Sequence, residues 1–266
     1  MKKTNYYEIC NQKLKYLNYS NRTIDIYLYY INQFLDNNET YPTRLKSKDF
    51  QKYLDNYSFT SVSQQNQVIN SIRFLYKYGL NKKYDKVSFK RPRRENKLPQ
   101  VIDCNFIISR LNEIENIKHK SILSLAFSAG LRVSEVINLK IRDIDSKRMI
   151  INIRNSKGRK DRVVPLSNDV LILIRNYYLK YRPIEYLFNG QFSVLYSSSS
   201  CNKIMKKYIG NNYHFHQLRH SCFTHLLECG TDLRIIQKLA GHNSSKTTEI
   251  YTYVSNNLLH KIQLPV

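Results

Sequence analysis

Apolar residues recur at the spacing of one helical face between residues 22 and 36, and this pattern predicts an amphipathic helix. The apolar positions of the stretch are Ile24, Tyr27, Leu28, Ile31, Phe34 and Leu35. Similar patterns predict two more helices over residues 47–55 and 63–78, and Gly79 is expected to end the second of them. The first 80 or so residues are therefore predicted to form a small helical module.

Beyond residue 103 the chain is again predicted to be mostly helical, with one interruption. Helices are expected over residues 104–115, 119–129, 133–139, 167–181, 200–209, 216–229, 232–240 and 245–258. Two β-prone runs, 149–153 and 162–166, flank the basic residues 156–160 and predict a β-hairpin with a basic tip. The predicted fold class is mainly α with a small β-hairpin or sheet.

A basic segment separates the two modules. Residues 81–99 carry clustered lysines and arginines together with Pro92 and Pro99, and they break the helical pattern. We interpret the chain as a helical module over 1–80, a linker over 81–99 and a second domain over 100–266. A charge run is usually a solvated loop; the alternative is a segment that follows the phosphates of a nucleic acid, whose contacts dominate affinity. If the partner is DNA, the linker residues expected to contact it are Lys90, Arg91, Arg93 and Arg94.

The charge balance indicates the class of partner. Lys and Arg total 43 against 20 Asp and Glu, a net charge of +23. This excess favours a polyanion, most commonly nucleic acid, although a Lys-, Asn-, Ile- and Tyr-rich proteome is an alternative source of it. The five cysteines form no CxxC pair, which favours a reducing compartment. No apolar run approaches the roughly 20 residues of a membrane span, so we expect a cytoplasmic, nucleoid-associated protein.

Two arginines are candidates for holding one phosphate. A guanidinium is planar, permanently charged and bidentate, which suits the negative charge that accumulates on a phosphodiester under attack. Arg132 and Arg219 are the proposed pair. Arg132 follows Gly130 and Leu131 at an expected helix start, where backbone N–H groups add to the positive field. Glu135 lies three residues further on and is expected to orient Arg132.

Histidines cluster around Arg219. His216 lies three residues before it and can shuttle protons, although a buried structural histidine is the alternative. Together with His214 and His225, the i, i+4 pair His216 and His220 also raises the possibility of zinc. No HExxH glutamate is present and no Cys or carboxylate stands out as a third ligand. We therefore expect no metal, and we expect His220 to support its neighbours.

Other candidate cations lie at a hairpin tip and after a helix. A flexible Lys157 ammonium at the tip can reach a leaving oxygen and donate a proton to it. Arg159 and Lys160 compete for that role and are expected to contact DNA. His242 follows Gly241, where a helix should end, and it is placed either to hydrogen-bond a phosphate oxygen or to serve as an ordinary loop histidine.

Taken together, these segments resemble the tyrosine recombinase (phage integrase) family across most of residues 100–258. The segments are Ala129-Gly130-Leu131-Arg132-Val133-Ser134-Glu135, Ser156-Lys157-Gly158-Arg159, His216-Gln217-Leu218-Arg219-His220, Leu239-Ala240-Gly241-His242 and Ile250-Tyr251. The resemblance implies six catalytic residues: Arg132, Lys157, His216, Arg219, His242 and the nucleophile Tyr251. Among 22 tyrosines, Tyr251 is singled out by the run from Thr247 to Thr252 that follows His242. Tyr253 is its neighbouring competitor.

The resemblance also implies a fold, a reaction and an assembly. A helical, SAM-like core-binding domain is expected to precede the catalytic domain, in a simple Xer-like or transposon-type recombinase without an arm-binding domain. Tyr251 is expected to form a 3′-phosphotyrosyl link with double-stranded DNA at inverted-repeat core sites. A tetramer then exchanges strands between two duplexes through a Holliday junction, with no metal or cofactor. The alternatives are type IB topoisomerase-like relaxation and a catalytically inactive DNA-binding relative.

The end of the chain is the remaining candidate for assembly. Residues 254–266 are partly apolar, and relatives' tails dock on a neighbouring protomer. The alternative is that the tail caps its own domain.

Overall fold

A computed structural model describes residues 3–38, 41–82, 99–154, 161–242 and 244–252. The chain divides into two compact units, Met1–Asn96 and Lys97–Val266. Each unit has its own hydrophobic core.

Helices build the first unit throughout its described part. They are α1 (Lys3–Tyr16), α2 (Asn21–Asp36), α3 (Ser47–Asp55) and α4 (Val62–Phe74). The sequence pattern did not predict α1. The helix expected over 63–78 is α-helical only to Phe74 and then widens into a π-helical turn over Leu75–Gly79.

Helix α2 is stabilised by a capping residue at its start and by an apolar face along one side. The hydroxyl oxygen of Ser20 accepts a hydrogen bond from the Thr23 N–H at 3.3 Å, which satisfies one of the free donors at the helix start. The predicted face is buried except at Tyr27, which is half-buried, and Ile31 and Phe34 are fully enclosed. Phe34 meets Phe50 of α3 edge to face at 6.0 Å. The pattern in the sequence therefore produces the packing of this unit.

The second unit contains the remaining elements. Its helices are α5 (Cys104–Asn112), α6 (Ile117–Ser128), α7 (Val133–Ile137), α8 (Asn168–Tyr181), α9 (Ser198–Tyr208), α10 (His216–Glu228), α11 (Leu233–Ala240) and α12 (Lys246–Glu249). Its strands are β1 (Ile144–Asp145), β2 (Ile150–Ile153) and β3 (Arg162–Pro165). The predicted fold class, mainly α with a small sheet, is confirmed.

The sheet is antiparallel, in the order β1-β2-β3. The expected hairpin pairs β2 with β3, with Ile151 opposite Val164. The pattern did not predict β1, whose two residues are too few to show alternation. Because β3 begins at Arg162, this side chain is carried on the edge of the sheet nearest the C-terminal helices, where it contacts α11.

The core of the second unit surrounds α6. Ile122, Leu123 and Leu125 are fully buried there. Helix α10 packs on both α6 and α11, and it buries polar residues as well as apolar ones. Arg219 is the largest of these and is 1% exposed. A buried guanidinium needs several hydrogen-bond acceptors, and the position of α10 therefore determines where those acceptors must lie.

The last described residues differ from the sequence prediction. A helix was expected over 245–258, but α12 covers only Lys246–Glu249 and a turn follows through residue 252. The rest of the expected helix lies outside the described residues. Among the helices of the described ranges, none has the length and apolarity needed to cross a bilayer.

Candidate active site

A tight turn brings Arg132 to the start of α7. Gly130 has φ of +59°, and a β-carbon on it would lie 2.6 Å from the ring of Phe223. Only glycine meets both conditions at low cost. Arg132 is the N-cap residue, and its N–H donates to Glu135 at 2.8 Å. The turn thus directs Arg132 and Glu135 towards the same interior space.

Glu135 lies between guanidinium groups. Arg162 donates to both of its oxygens, each at 2.7 Å, and Arg132 Nη1 donates to one of them at 2.8 Å. Burial by itself raises the pKa of this carboxyl, but the hydrogen bonds and charges of Arg162 and Arg132 outweigh burial and lower the pKa to about 2. Glu135 is therefore ionised at neutral pH and partly balances the surrounding positive charge.

Arg219 reaches the same space from α10. Its Nη1 donates to the carbonyl oxygen of Gly130 at 2.6 Å, and its Nη2 donates to the carbonyl oxygen of Ala240. Its guanidinium carbon lies 4.7 Å from the centre of the Phe223 ring. Burial, followed by the charge of Arg132, lowers its pKa to about 10. Because this value remains well above 7, Arg219 is still a cation at neutral pH.

The two arginines meet at one atom. Arg132 Nη2 donates to the Ala240 carbonyl oxygen at 3.1 Å, the oxygen that also accepts from Arg219. Arg132 keeps 18% of its side chain exposed, whereas Arg219 keeps 1%. The structure thus brings Arg132 and Arg219 together, with more cationic than anionic groups around them, and this is an arrangement that favours a bound anion.

His242 lies at the end of α11. Gly241 adopts φ of +61° as the left-handed cap of the helix, and the chain then turns back at His242. Its Nε2 lies 3.4 Å from Arg219 Nη2, and its Nδ1 lies 3.0 Å from the hydroxyl of Thr248. Burial and the Arg219 charge lower the pKa of His242 to about 4, so it is neutral at pH 7.

His216 and His220 lie one turn apart on α10. Their rings meet edge to face at 4.6 Å. His216 is exposed, and the partial desolvation of its ring and the Arg219 charge lower its pKa below the usual value. His220 is shifted to about 4 by burial and by His216, and its buried Nδ1 has no hydrogen-bond partner. Both imidazoles are therefore neutral proton acceptors at pH 7.

Tyr251 lies in the turn after α12 and is 1% exposed. Its ring is nearly parallel to that of His242, with centres 6.3 Å apart, and it contacts the rings of His220 at 5.8 Å and Phe223 at 5.7 Å. Burial raises the pKa of the phenol to about 12, despite the opposing charge of Arg219. In the free protein the phenol is thus protonated and enclosed beside the arginines.

Several predicted site residues lie outside the described part of the chain, and so does the competitor Tyr253. They are Lys90, Arg91, Arg93, Arg94, Lys157, Arg159 and Lys160. Within the part that the structure does describe, no group of three or more His, Cys, Asp or Glu is arranged to hold a metal ion.

Sequence reasoning missed Arg162. Its side chain is 7% exposed and forms a two-pronged ion pair with Glu135. In the sequence it was only the first residue of a β-prone run. A charge at the start of an otherwise apolar strand was the one available signal, and it gave no indication of a partner 27 positions earlier.

Comparison with known proteins identifies the family. The family model described as Phage integrase family matches residues 102–257, which is more than half of the chain. The chain belongs to the phage integrase family. A second model, the N-terminal SAM-like domain of phage integrases, matches residues 7–86.

Relatives of this phage integrase chain are named tyrosine recombinases. It is 36% identical over 253 residues to tyrosine recombinase XerA of Pyrococcus horikoshii, covering 91% of this chain and 86% of that one. It is 31% identical over 275 residues to tyrosine recombinase XerC of Staphylococcus aureus, covering 93% and 91%. The XerH recombinase bound to a palindromic difH substrate shares the fold, with a TM-score of 0.71, 19% identity and coverage of 98% and 83%. The protein is thus a tyrosine site-specific recombinase, and the topoisomerase and inactive-relative alternatives are not favoured.

Proposed function

We propose that the protein exchanges strands between two DNA duplexes through a 3′-phosphotyrosyl link to Tyr251. One observation carries the proposal. Arg132 and Arg219 donate to the same Ala240 oxygen, and His242 links them to the Tyr251 ring by lying 3.4 Å from Arg219 and nearly parallel to that ring. Two cations and a phenol therefore share one pocket, which is the minimum needed to hold a phosphate and attack it.

The two arginines divide the work of holding the phosphate. Arg132 retains solvent access, so its guanidinium is the one that touches a non-bridging oxygen first. Arg219 is committed to the carbonyls of Gly130 and Ala240 and acts as a fixed charge behind it. Fixed cations aimed at developing negative charge lower a barrier effectively because they need no reorganisation.

Strand cleavage in this proposal is a phosphoryl transfer accompanied by two proton transfers. The phenol oxygen of Tyr251 bonds to phosphorus while the bond from phosphorus to the 5′ oxygen breaks. The phenol proton passes to the neutral imidazole of His216, and the departing 5′ oxygen takes a proton from Lys157. A 5′ hydroxyl of the partner duplex then reverses these steps, which restores the phosphodiester and frees Tyr251. His242 assists by hydrogen bonding to the phosphate.

The resting geometry adds one requirement. Tyr251 is 1% exposed, and a phosphate of duplex DNA cannot reach its oxygen while it stays enclosed. DNA binding therefore has to move the segment after α12 or the residues that cover it. We propose that the free energy of DNA binding drives this movement. The contacts with the duplex are expected from the 1–80 module, the basic 81–99 linker, Arg159 and Lys160.

Partners and location follow from the same proposal. The substrate is double-stranded DNA with inverted-repeat core sites, bound by four copies of the chain in the cytoplasm at the nucleoid. A palindromic substrate in the XerH complex supports the inverted-repeat geometry. The basic balance of +23 supports phosphate contacts that weaken steeply with added salt.

Strand exchange is the test of the proposed function. Sites are selected from random duplex DNA by binding, and two selected duplexes with different end labels are then incubated with the protein. Recombinant products carrying both labels are expected, at equal yield in EDTA. Relaxation of supercoiled DNA without joint products would instead favour topoisomerase chemistry.

A further inference from the structure

The guanidinium of Arg162 makes more hydrogen bonds than is usual for a charged residue at the surface of a strand. Its Nη1 and Nη2 each donate to a different oxygen of Glu135 at 2.7 Å, and its Nε donates to the carbonyl oxygen of Leu239 at 2.7 Å. A β-carbon on Gly241 would lie 3.1 Å from Arg162 Cδ, so the cap of α11 is shaped around this side chain. Every donor nitrogen of the guanidinium is thus directed at an acceptor.

These contacts close a ring. Arg162 holds Glu135, and Glu135 accepts from Arg132 Nη1 at 2.8 Å. Arg132 Nη2 donates to the Ala240 carbonyl at 3.1 Å, and Ala240 directly follows Leu239, which Arg162 contacts. The ring joins β3, the start of α7 and the end of α11. Displacement of any one of these elements therefore breaks a hydrogen bond of the ring.

We propose that Arg162 is a positioning residue, which holds Glu135 so that Arg132 faces the scissile phosphate and which fixes β3 against the end of α11. The proposal rests on the proposed strand-cutting function for its catalytic consequence. Its structural half, that Arg162 holds Glu135, stands without that function.

Arginine is required here because of its geometry. A guanidinium forms two parallel hydrogen bonds with a carboxylate and still has Nε for a third acceptor. A lysine at this position can bind Glu135 through one nitrogen but cannot bind both oxygens and Leu239 in a fixed plane. We therefore expect Arg162→Lys to retain the charge and lose most of the positioning.

The surroundings of Glu135 determine how its titration responds. Arg132 faces it from its own helix start, Arg162 from β3 and Arg219 from α10, the last at 4.0 Å. A cavity of about 360 Å³ beside it is also lined by Lys140, Arg142, Asp143, Arg154 and Tyr186. Removing Arg162 leaves the burial of Glu135 in place while the strongest counter-charge is lost. Its pKa then rises from about 2 towards or beyond the ordinary 4.5.

The first experiment needs no DNA. Glutamate carboxyl carbons are labelled with ¹³C and titrated by NMR in the wild type and in Arg162→Met, and Glu135→Gln assigns the signal. We expect the Glu135 signal to titrate at higher pH in Arg162→Met and to stay unchanged in Arg175→Met, which removes an exposed arginine of α8. An unchanged Glu135 titration in folded Arg162→Met would overturn the structural half.

The second experiment measures chemistry separately from binding. Single-turnover cleavage of a nicked suicide duplex is followed at saturating DNA between pH 5 and 8. We expect Arg162→Met to cleave at least 30-fold more slowly, with a larger deficit at pH 5 than at pH 8 and with the DNA dissociation constant within threefold. Arg162→Lys should recover part of the rate. Adding Arg162→Met to Glu135→Gln should cause no further loss.

The outcomes separate the two proposals. Wild-type cleavage with an equal rate and pH profile in Arg162→Met overturns the positioning role, and so do additive losses in the double variant. Absence of covalent cleavage by the wild type on any selected site overturns the proposed function, and the NMR titration then still decides whether Arg162 holds Glu135.

Discussion

Arg132 and Arg219 each donate a hydrogen bond to the carbonyl oxygen of Ala240. Two guanidinium groups at one oxygen repel each other, and the ionised Glu135, within 4.0 Å of both, offsets that repulsion. The pair is therefore already assembled before any phosphate arrives. Cations that are fixed in this way stabilise the negative charge that develops in a transition state, and they need no reorganisation at the moment of reaction.

Arg219→Lys should slow cleavage strongly. An ammonium cannot span the carbonyls of Gly130 and Ala240 as the guanidinium does, so the fixed charge is lost from its position. We expect a decrease of about 100-fold or more in the single-turnover rate, the size seen when one preorganised donor is removed. DNA affinity by gel shift should change little. Arg175→Lys on the exposed side of α8 is the control, and equal rates in the two variants would contradict the assignment.

Tyr251→Phe should abolish covalent capture of a suicide duplex, because only the attacking oxygen is removed. Its ring contacts with His220, Phe223 and His242 are retained, so folding and DNA binding should persist. The protein–DNA adduct is measured on denaturing gels. Tyr253→Phe is the matched control and should still form the adduct; the reverse result would transfer the nucleophile to Tyr253.

Glu135→Gln should destabilise the fold far more than Glu113→Gln. Both glutamates pair with an arginine three residues earlier, but Glu135 is 4% exposed and Glu113 is 56% exposed. Removing one partner of a buried pair costs about 3–5 kcal/mol, whereas an exposed pair contributes about 1 kcal/mol or less. Urea unfolding at pH 7 measures both values. Similar losses at the two positions would contradict the central place of Glu135.

Gly130→Ala should destabilise the protein more than Gly230→Ala. Both glycines have positive φ, +59° and +87°, so an alanine is strained at either position. A β-carbon at Gly130 lies 2.6 Å from the Phe223 ring, whereas at Gly230 nothing lies within 4 Å. We expect an additional loss of about 1–3 kcal/mol from this overlap, measured by thermal unfolding. Phe223→Leu should reduce the difference, and no difference would show that the turn adapts.

Acidification should weaken the fold through His220. Burial, together with His216, lowers its folded pKa from 6.5 to about 4, so the unfolded chain binds this proton more readily. Its stabilising contribution is therefore complete above pH 6.5 and lost as the pH falls towards 4. When the pH is lowered from 7 to 5, the free energy of unfolding should fall by about 1–2 kcal/mol less in His220→Gln than in the wild type, as measured by urea unfolding. His225→Gln, at an exposed position on the same helix, controls for removing an imidazole, and an identical loss in wild type and His220→Gln would refute the prediction.

Helix α6 of the second unit was predictable because it buries many apolar residues, among them Ile122, Leu123, Leu125 and Ala126. Helix α1 was not, since its buried side chains Tyr6, Cys10 and Leu14 form only a narrow stripe at every fourth position. Strand β1 is too short to show a period. The shortened α12 reflects local turns that a continuous helical pattern does not reveal.

The residues of the candidate site were also predictable only in part. Arg132, Glu135 and Arg219 could be named because each lies in a segment whose residue order resembles one family. Arg162 could not, because its partner is determined by how β3 packs against α7 and α11 rather than by any spacing along the chain. The role of Ala240 could not be predicted either, since it contributes a backbone oxygen that any residue type would supply.

The enclosure of Tyr251 has a consequence for a chain that diffuses among long genomic DNA. With 1% of its surface accessible and its pKa raised to about 12, the phenol of the proposed nucleophile stays enclosed and protonated during random encounters. Under the proposed chemistry this enclosure limits accidental nicking, so that selectivity lies in the release of one side chain as well as in the recognition of bases.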